Sequence, residues 1–423
     1  MEWGNRAVTA IASSLRGRAS SLGTALREHP GRMYLVSLPV LAAAVLALAV
    51  SLGGRYLDLE VYRLGVHTWL TGGDLYGALP VTSAGVVLPF IYPPFAAMLM
   101  VPLALTGWGF ASAAVFAVSL LSLGITLYVV MRRLWPSGGH VGALAATSVL
   151  VPPCLLLEPV SQTFGFGQIN LILMAMVAVD CLMARTRWPR GLLVGLAAAI
   201  KLTPAAFVLY FLLRRDYRAA AVAAISGAVA TGIGALVAPV PSERYWGGGL
   251  AGVSGVSGSP FFTNQTFQAV FTRAGVGGLE MKAAWLLLSV ALLLLAIPVI
   301  RRAPRPLALV ATAGVALLVS PTSWSHHWVW IAPALLIAGV SAWRARSALW
   351  AAVTAVLAVT FVVAPFQYLP HDNGRELTWS VLQQVAGASY VIVTVAVYVL
   401  LWLTWRRRPA PRPAAQVAEP AAS

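Results

Sequence analysis

Apolar residues occur along this chain in long uninterrupted runs. Many of the runs approach the roughly 20 residues that an α-helix needs to cross a bilayer. The pattern therefore predicts an all-α polytopic membrane protein with roughly 12 membrane helices. The runs cover residues 33–53, 88–107, 109–131, 141–157, 168–184, 191–213, 219–240, 283–300, 306–320, 327–343, 347–366 and 386–405.

Positive charge lies mostly between these runs and gives the chain a net charge of +16. In a soluble protein this excess would suggest a nucleic-acid partner, but cytoplasmic loops of membrane proteins also carry an excess of Lys and Arg. Assigning the arginine clusters to the cytoplasm predicts that both termini lie inside. Residues 54–90, 241–282 and 367–385 are then outside the cytoplasm.

The run at 191–213 conflicts with a simple crossing, because both residues that flank it, Arg190 and Arg214, are assigned to the cytoplasm. Its middle, AIKLTPAA, contains Lys201 and Pro204. Proline lacks a backbone donor, so the run predicts a hairpin that breaks near Lys201 at membrane depth. Run 88–107 has a similar conflict and is expected not to cross fully. Twelve plain crossings with two arginine clusters outside are the alternative.

The domain organisation follows from the same runs. Residues 33–405 form one predicted transmembrane domain, preceded by a basic cytoplasmic segment at 1–32 and followed by a Pro/Ala-rich cytoplasmic tail at 406–423. The first run has no cleavage site and is predicted to stay as an anchor. Cys154 and Cys181 lie within apolar runs, which indicates buried thiols without a disulfide.

Four polar or aromatic stretches fall in the predicted outer loops, whereas the cytoplasmic connections are short. The first stretch joins GGRYLDLEVYRLG to LPFIYPPFAAML, and the others are EPVSQTFGFGQIN, GSPFFTNQTFQAVF and SPTSWSHHWVW. Together with the break at Lys201, these stretches predict one outward-facing cavity. Lys201 is ionisable at membrane depth, which by itself indicates a functional site.

The remaining candidates each have a structural alternative. His326 and His327 are not needed to anchor a span, so at least one is predicted to be functional, although no further ligand pair accompanies them to form a metal site. Trp324 has the alternative of an interfacial belt residue. Gln168 and Asn170 have the alternative of a helix cap.

Asp58 and Glu60 lie in the first outer loop. The apolar pattern of Leu57, Val61, Leu64, Val66 and Trp69 predicts a short amphipathic helix along the membrane surface. On such a helix the two carboxylates project about 200° apart, so they need not act as a pair. A solvated helix cap is the alternative for Asp58.

Several motifs together resemble glycosyltransferase family 87, a group of C-type glycosyltransferases (GT-C fold). They are DLEVYRLG, IYPPFAAML, GFGQIN, AAAIKLTPAAF, NQTF and SPTSWSHHW, and they span roughly residues 50 to 340. The family contains polyprenyl-phosphate-mannose-dependent α-1,2-mannosyltransferases and a related arabinosyltransferase. Length and the position of the acid most resemble members that act on phosphatidylinositol mannosides. The resemblance implies a plasma-membrane mannosyltransferase that works with inversion on the extracytoplasmic face.

The family's role for the acid of the first loop carries over to Asp58, as the base that takes the acceptor proton. A departing lipid phosphate needs positive charge and hydrogen-bond donors. The residues that can supply them are Lys201, His326, His327 and Arg63. The predicted contacts to sugar or acceptor are Glu60, Tyr92, Gln168, Asn170, Asn264, Gln265 and Trp324.

The sequence suggests no cofactor and no required metal, because it lacks a nucleotide-binding glycine loop and a cluster of carboxylates. The expected partners are a polyprenyl-phosphate-mannose donor, a glycolipid acceptor and membrane lipids, with no nucleic acid, and the chain is expected to act as a monomer. Lipomannan branching or arabinosyl transfer is the alternative within the family. A secondary transporter is the competing class, but it should show paired halves and midplane charges, and no repeat is evident.

Overall fold

The computed structural model describes residues 30–54, 56–249 and 258–406, with side chains from residue 34 onward. The described residues are helical, with one isolated β-bridge between Asn264 and Trp324 and no strand, which confirms the all-α prediction. The predicted cytoplasmic segment at 1–32 lies almost entirely outside these residues. Arg55 and the predicted tail beyond Arg406 also lie outside them.

The α-helices are numbered here in chain order. They are α1 Pro30–Leu52, α2 Leu57–Leu70, α3 Pro94–Leu105, α4 Trp108–Leu134, α5 Gly139–Cys154, α6 Glu158–Phe166, α7 Asn170–Leu182, α8 Leu192–Ile200, α9 Phe207–Leu213, α10 Tyr217–Val237, α11 Pro239–Arg244, α12 Phe267–Arg273, α13 Gly278–Arg302, α14 Arg305–Val319, α15 Ile331–Ala345, α16 Ala348–Val363, α17 Val381–Gly387 and α18 Ser389–Trp405. The 3₁₀ segments that matter for the site are Thr203–Ala206 and Ser325–Trp330.

Helix length separates two classes of apolar helix. Within the described residues, 6 helices are long and apolar enough to cross a membrane, or 8 if each of two bent pairs counts as one span. The other apolar helices are shorter, at Pro94–Leu105, Asn170–Leu182, Thr203–Leu213 and Arg305–Val319. Helices of these lengths rise only about 16–23 Å, less than the roughly 30 Å of a bilayer core. The chain is thus a multi-pass membrane protein, and length alone does not reproduce twelve full crossings.

The arginine clusters meet at one end of the bundle, called here the arginine end. Arg133 donates to Leu182 O at the end of α7, and Arg344 donates to Leu134 O at the end of α4. Arg214 donates to Ile300 O at 2.9 Å and to Ala303 O at 3.0 Å. The last carbonyls of a helix lack partners within it, so arginines placed there satisfy these acceptors and complement the helix dipole.

The segment 191–213 forms a hairpin, as predicted. Its start lies at the arginine end, where Asp180 Oδ2 accepts from Gly191 N at 3.0 Å and from Val194 N at 3.1 Å. Its other end returns to the arginine end through Arg214. The chain turns at Lys201, which has an extended backbone (φ −146°, ψ 131°) between α8 and the 3₁₀ turn that contains Pro204. Because the 9-residue α8 rises about 13 Å, Lys201 lies well away from the arginine end.

Close packing of α8 against α10 holds this hairpin. At Gly195 an added Cβ would contact Ser226 Oγ and Ala223 O, and at Gly191 it would contact Ala219 O. Gly191 also has a φ of +103°, which disfavours any other residue. Glycine at these positions lets the two backbones approach, as small residues do between membrane helices.

A sharp bend brings the first outer loop to the bundle. Helices α5 and α6 form a pair bent by 81°, and α6 ends at Gly167 with a left-handed φ of +67°. A Cβ on Gly167 would lie 2.9 Å from Leu59 Cβ and 3.0 Å from Tyr56 Cβ. Glycine is therefore required here for the turn and for the close approach of α2.

The face of α2 that is buried differs from the predicted apolar face. Val61 and Val66 are buried as expected, but Leu59 and Tyr62 are buried as well, while Leu57, Leu64 and Trp69 are only half-buried. The difference arises from tertiary packing. Helix α2 packs against both α3 and the end of α6, so more than one of its faces is buried.

Candidate active site

Gln168 joins Asp58 to the bundle. Its Nε2 donates to Asp58 Oδ2 at 2.7 Å, across 110 residues of sequence. Its Oε1 accepts from the hydroxyls of Tyr62 at 2.8 Å and Tyr92 at 3.0 Å. These contacts set the orientation of the amide, because only its nitrogen can donate to a carboxylate. Gln168, Tyr62 and Tyr92 are buried, whereas Asp58 is half-buried and has its carboxylate at their edge.

A continuous line of hydrogen bonds runs from Asp58 to Lys201. Lys201 Nζ donates to the hydroxyl of Tyr92 at 3.4 Å, and the ammonium also lies 5.3 Å from the centre of the Tyr92 ring. Tyr92 in turn donates to Gln168 Oε1, and Gln168 donates to Asp58. A carboxylate and an ammonium group are thus held on opposite sides of one polar cluster.

Lys201 makes two further contacts that complete its surroundings. Its Nζ lies 3.0 Å from Asn170 Oδ1 and 3.1 Å from His327 Nε2. A charged ammonium can only donate, so His327 Nε2 accepts and the ring proton resides on Nδ1. His327 is therefore a neutral imidazole with a donor nitrogen to offer elsewhere.

His326 lies beside His327 but faces differently. Its ring stacks edge-on against Phe166 and against His327, with centroids 5.2 Å and 4.8 Å away. Its carbonyl accepts from Thr163 Oγ1 and Asn170 Nδ2, each at 3.0 Å. The buried Nε2 has no partner among the described residues. A buried nitrogen without a hydrogen bond lowers the stability of the fold, so a ligand that bonds with this Nε2 would supply the missing interaction.

Burial and hydrogen bonding act in opposite directions on Asp58. Desolvation of the carboxylate raises its pKa to about 6, because burial penalises the charged form. The hydrogen bond from Gln168 and the charge of Lys201 both lower the pKa and so limit the rise. A carboxyl with a pKa near 6 is well matched to accept a proton at neutral pH.

Two of the predicted site residues lie away from this cluster. Both carboxylate oxygens of Glu60 accept from Ser83, one from its backbone N–H at 2.8 Å and one from its hydroxyl at 2.7 Å. Arg63 donates to Leu103 O at the end of α3 and lies 5.8 Å from the centre of the Trp108 ring. These contacts tie the first outer loop to its neighbours.

Asn264, Gln265 and Trp324 connect two outer loops to each other. Asn264 donates to Ser259 O and accepts from Ser323 N, each at 3.0 Å, and it pairs with Trp324 in the β-bridge. Gln265 Nε2 donates to Phe262 O at 3.1 Å and to Gly387 O at 2.8 Å. Both amide side chains are fully buried and bonded to backbone, which is the arrangement of loop clamps. Gln265 Oε1 has no partner among the described residues.

One cavity adjoins the cluster, and a second cavity lies next to the first. The smaller, of about 50 Å³, is lined by polar and apolar groups that include Asn170, His327, Thr203, Phe207, Leu317 and Trp330. The larger, of about 310 Å³, is mostly apolar and lies between α14, α15, α16 and α18. Leu317 and Trp330 line both cavities. Along α14 the larger cavity extends from Leu307 to Leu317, about 15 Å, so it is elongated along the bundle.

The sequence analysis missed two residues of the cluster. Tyr62 follows Asp58 by four positions on α2, a spacing that puts both side chains on one helix face, so its place in the cluster was detectable from the pattern. Thr163 supports the carbonyl of His326 from 163 residues away, and no local signal indicates that contact. In the part of the chain that the structure describes, no three His, Cys, Asp or Glu side chains could share a metal ion.

Sequence comparison finds relatives over most of the chain. The family model for glycosyltransferase family 87 matches residues 90–321. A Mycobacterium tuberculosis protein named polyprenol-phosphate-mannose-dependent alpha-(1-2)-phosphatidylinositol mannoside mannosyltransferase is 39% identical, covering 84% of this chain and 86% of the relative. The protein of the same name from Mycolicibacterium smegmatis is 40% identical, covering 82% and 83%.

More distant similarities extend these findings. An M. tuberculosis protein named for the pentamannoside acceptor, an alpha-(1-2)-phosphatidylinositol pentamannoside mannosyltransferase, is 32% identical, covering 84% of this chain and 85% of the relative. Among solved structures, ArnT from Cupriavidus metallidurans, bound to undecaprenyl phosphate, is 16% identical and covers 87% of this chain and 77% of its own. The TM-score of 0.33 for that pair is too low for a comparison of sites.

Proposed function

This chain belongs to glycosyltransferase family 87, and on that basis we propose that it transfers mannose from polyprenyl-phosphate-mannose to a phosphatidylinositol mannoside, forming an α-1,2 linkage with inversion. The observation that carries the proposal is the polar cluster that holds the Asp58 carboxylate and the Lys201 ammonium apart, with two tyrosines and Gln168 between them. Such a site offers a base for a sugar hydroxyl and a cation for a lipid phosphate.

The active site is proposed to face away from the cytoplasm. Helix α7 begins at Asn170 in the cluster and ends at Leu182 at the arginine end, so the two lie at opposite ends of that helix. Cytoplasmic ends of membrane proteins are enriched in Lys and Arg. The proposed topology has roughly twelve membrane helices in a GT-C arrangement, with α2 along the outer surface and the shorter apolar helices crossing only in part.

In the proposed reaction, Asp58 acts on the acceptor. A mannose 2-hydroxyl of the acceptor attacks the anomeric carbon of the donor, and its proton passes to the Asp58 carboxylate. The bond from that carbon to the phosphate oxygen breaks, and polyprenyl phosphate departs with the electron pair. The leaving group is already a stable anion, so a second carboxylic acid is not required. Attack from the face opposite the phosphate accounts for the inversion.

The donor phosphate is proposed to bind between Lys201 and the two histidines. Lys201 supplies the positive charge, and the Nδ1–H of His327 and the free Nε2 of His326 supply hydrogen-bonding positions. Charged donors stabilise the negative charge that grows on the leaving phosphate. Gln168, Tyr92 and Asn170 are proposed to contact the sugars from the same cluster. Asn264, Glu60 and Arg63 would act through loop structure, because their side chains already have the partners described above. Gln265 is held in the same way through its Nε2, although its Oε1 has no partner among the described residues, and Trp324 is held through the β-bridge with Asn264.

The lipid chain of the donor is proposed to lie in the larger apolar cavity. That cavity shares Leu317 and Trp330 with the small cavity beside His327, so the two cavities are neighbours. The prenyl chain is proposed to run from a phosphate near Lys201 past these two side chains into the larger cavity. The cavity is elongated and apolar, as an extended prenyl chain requires. Its volume of about 310 Å³ holds part of the chain, and the remainder would extend into lipid.

The base assignment predicts that Asp58→Asn removes nearly all transfer. The purified protein is supplied with polyprenyl-phosphate-mannose and a phosphatidylinositol mannoside, and the product is followed by mass spectrometry. An amide cannot accept the proton, so turnover should fall by about 10²- to 10⁴-fold. Glu60→Gln, two positions along the same helix, should change it little. The assignment is wrong if Asp58→Asn keeps more than about a tenth of normal turnover, or if Glu60→Gln is the more damaging change.

The pKa of Asp58 predicts an acidic limb in the pH profile. The base must be ionised, so kcat/KM should rise with pH through about 6 and level off above it. One unit below the pKa, efficiency should be about tenfold below the plateau. Gln168→Leu removes a hydrogen bond that lowers this pKa and should move the limb to higher pH. Ser83→Ala, which removes only the hydroxyl donor to Glu60, should leave the limb unmoved, and a shift in that control would assign the limb to another group.

The phosphate assignment predicts a graded effect at Lys201. Lys201→Ala should lower kcat/KM for the donor about tenfold to a hundredfold, because a charge-assisted hydrogen bond contributes roughly 1.5–3 kcal/mol. Lys201→Arg retains the charge and should lose less. Lys282→Ala, an exposed lysine at the start of α13, is the control. Unchanged efficiency in a folded Lys201→Ala protein would restrict Lys201 to a structural role.

The lipid assignment predicts dependence on chain length. Ala338→Phe fills the larger cavity and should raise KM for a long-chain donor at least about tenfold, since each excluded carbon loses roughly 0.8 kcal/mol. A donor with one or two isoprene units should be affected much less. Ala352→Phe, on the exposed side of α16, is the matched control. Equal changes in KM for long and short donors would show that the prenyl chain binds outside this cavity.

A further inference from the structure

A second carboxylate, Glu158, is buried near the histidines and has no part in the chemistry above. It is 7% exposed and begins α6. Its Oε1 accepts from Gln367 Nε2 at 2.8 Å, and its Oε2 accepts from the hydroxyl of Tyr390 at 2.9 Å. The Ser325 side chain also lies close to this carboxylate and interacts favourably with its charged form. Within the described ranges no Lys or Arg forms an ion pair with it. A buried carboxylate held by neutral donors is costly unless all of them are in place.

The three donors come from three separate segments. Gln367 lies in the outer loop after α16, Tyr390 begins the last helix α18, and Ser325 directly precedes His326. An acid in the first turn of a helix also interacts favourably with the helix dipole. The helix dipole acts only at the start of α6, so it does not explain why the partners of the Glu158 carboxylate, Ser325 among them, come from three other segments.

Glu158 shares its helix with further supports of the same turn. Thr163, also on α6, donates to His326 O at 3.0 Å, and Asn170 at the start of α7 donates to the same oxygen at 3.0 Å. The intervening Gln168 contacts Asp58. The segment 158–170 therefore contacts both the histidine turn at Ser325 and His326 and, through Gln168, the carboxylate of Asp58.

We infer that Glu158 is a positioning residue, which sets the Ser325–His327 turn in register with Lys201 so that the turn can receive the donor phosphate. This inference rests on the proposed mannosyl transfer. Glu158 does not itself touch the reacting atoms. It acts through Ser325, because that hydroxyl is the link between its carboxylate and the histidines. Small displacements of a substrate-binding group can cost about a hundredfold in rate.

Two variants that remove one hydroxyl each from the same carboxylate test this inference. Ser325→Ala breaks the link to the histidine turn, whereas Tyr390→Phe breaks the link to the last helix. Both should lower the unfolding temperature in detergent by similar amounts. We expect only Ser325→Ala to raise KM for the donor, by about tenfold, with KM for the acceptor within about twofold of normal. If Glu158 served folding alone, Ser325→Ala would leave KM for the donor and KM for the acceptor unchanged.

The carboxylate itself is then varied. Glu158→Ala should reproduce the rise in donor KM, and Glu158→Gln should remain within about threefold of normal because an amide oxygen still accepts while the hydroxyls can rotate. Combining Glu158→Ala with Ser325→Ala should add little to either change. A folded Glu158→Ala protein with normal donor kcat/KM would overturn the inference, as would an equal rise in donor KM for Tyr390→Phe.

Binding of polyprenyl phosphate, measured directly as Kd, separates this inference from the proposed function. If the wild-type protein transfers no mannose, the proposed function fails. The positioning role is then judged on whether Ser325→Ala and Glu158→Ala weaken polyprenyl phosphate binding about tenfold while Tyr390→Phe does not. Equal Kd values for all of these proteins would refute the positioning role.

Discussion

The hydrogen bond from Gln168 to Asp58 is the contact on which the arrangement of the candidate site depends. A carboxylate that leaves water needs a partner, and here the partner is an amide whose oxygen is already held by two tyrosine hydroxyls. The amide can reach Asp58 because Gly167 allows both the left-handed turn and the close approach of α2. Without that glycine, the first outer loop could not pack against the bundle at this point.

The segment from Glu158 to Asn170 acts as the common frame of the site. It contacts Asp58 from one side and the histidine turn from the other, and Asn170 also contacts Lys201. Groups that act on opposite sides of one anomeric carbon must keep a fixed separation, so a single short segment that holds both is an economical solution. The bend between α5 and α6 turns this frame across the bundle.

Charge is distributed unevenly along the bundle. At the arginine end the cations neutralise helix carbonyls, whereas the cluster at the other end contains one carboxylate and one ammonium within mostly neutral polar groups. In such partly desolvated surroundings, electrostatic interactions are stronger than in water. The partly buried ammonium of Lys201 is tolerated because Tyr92, Asn170 and His327 contact it in place of water. In the proposed function the same setting would strengthen its interaction with the donor phosphate.

The sequence by itself determined the helical membrane class, the positions of the apolar helices, the break at Lys201 and several residues of the cluster, because the cost of unpaired backbone or charge in lipid acts on each residue locally. Only the tertiary structure decided which polar side chains face one another. Gln168 and Asp58 are 110 residues apart, Asn264 and Gln265 turn out to bind backbone, and Glu158 bonds with Tyr390 across 232 residues. Hydrophobic periodicity records which face of a helix is apolar, but the partner of a buried hydrogen bond depends on where distant helices cross, and that geometry leaves no local mark in the chain.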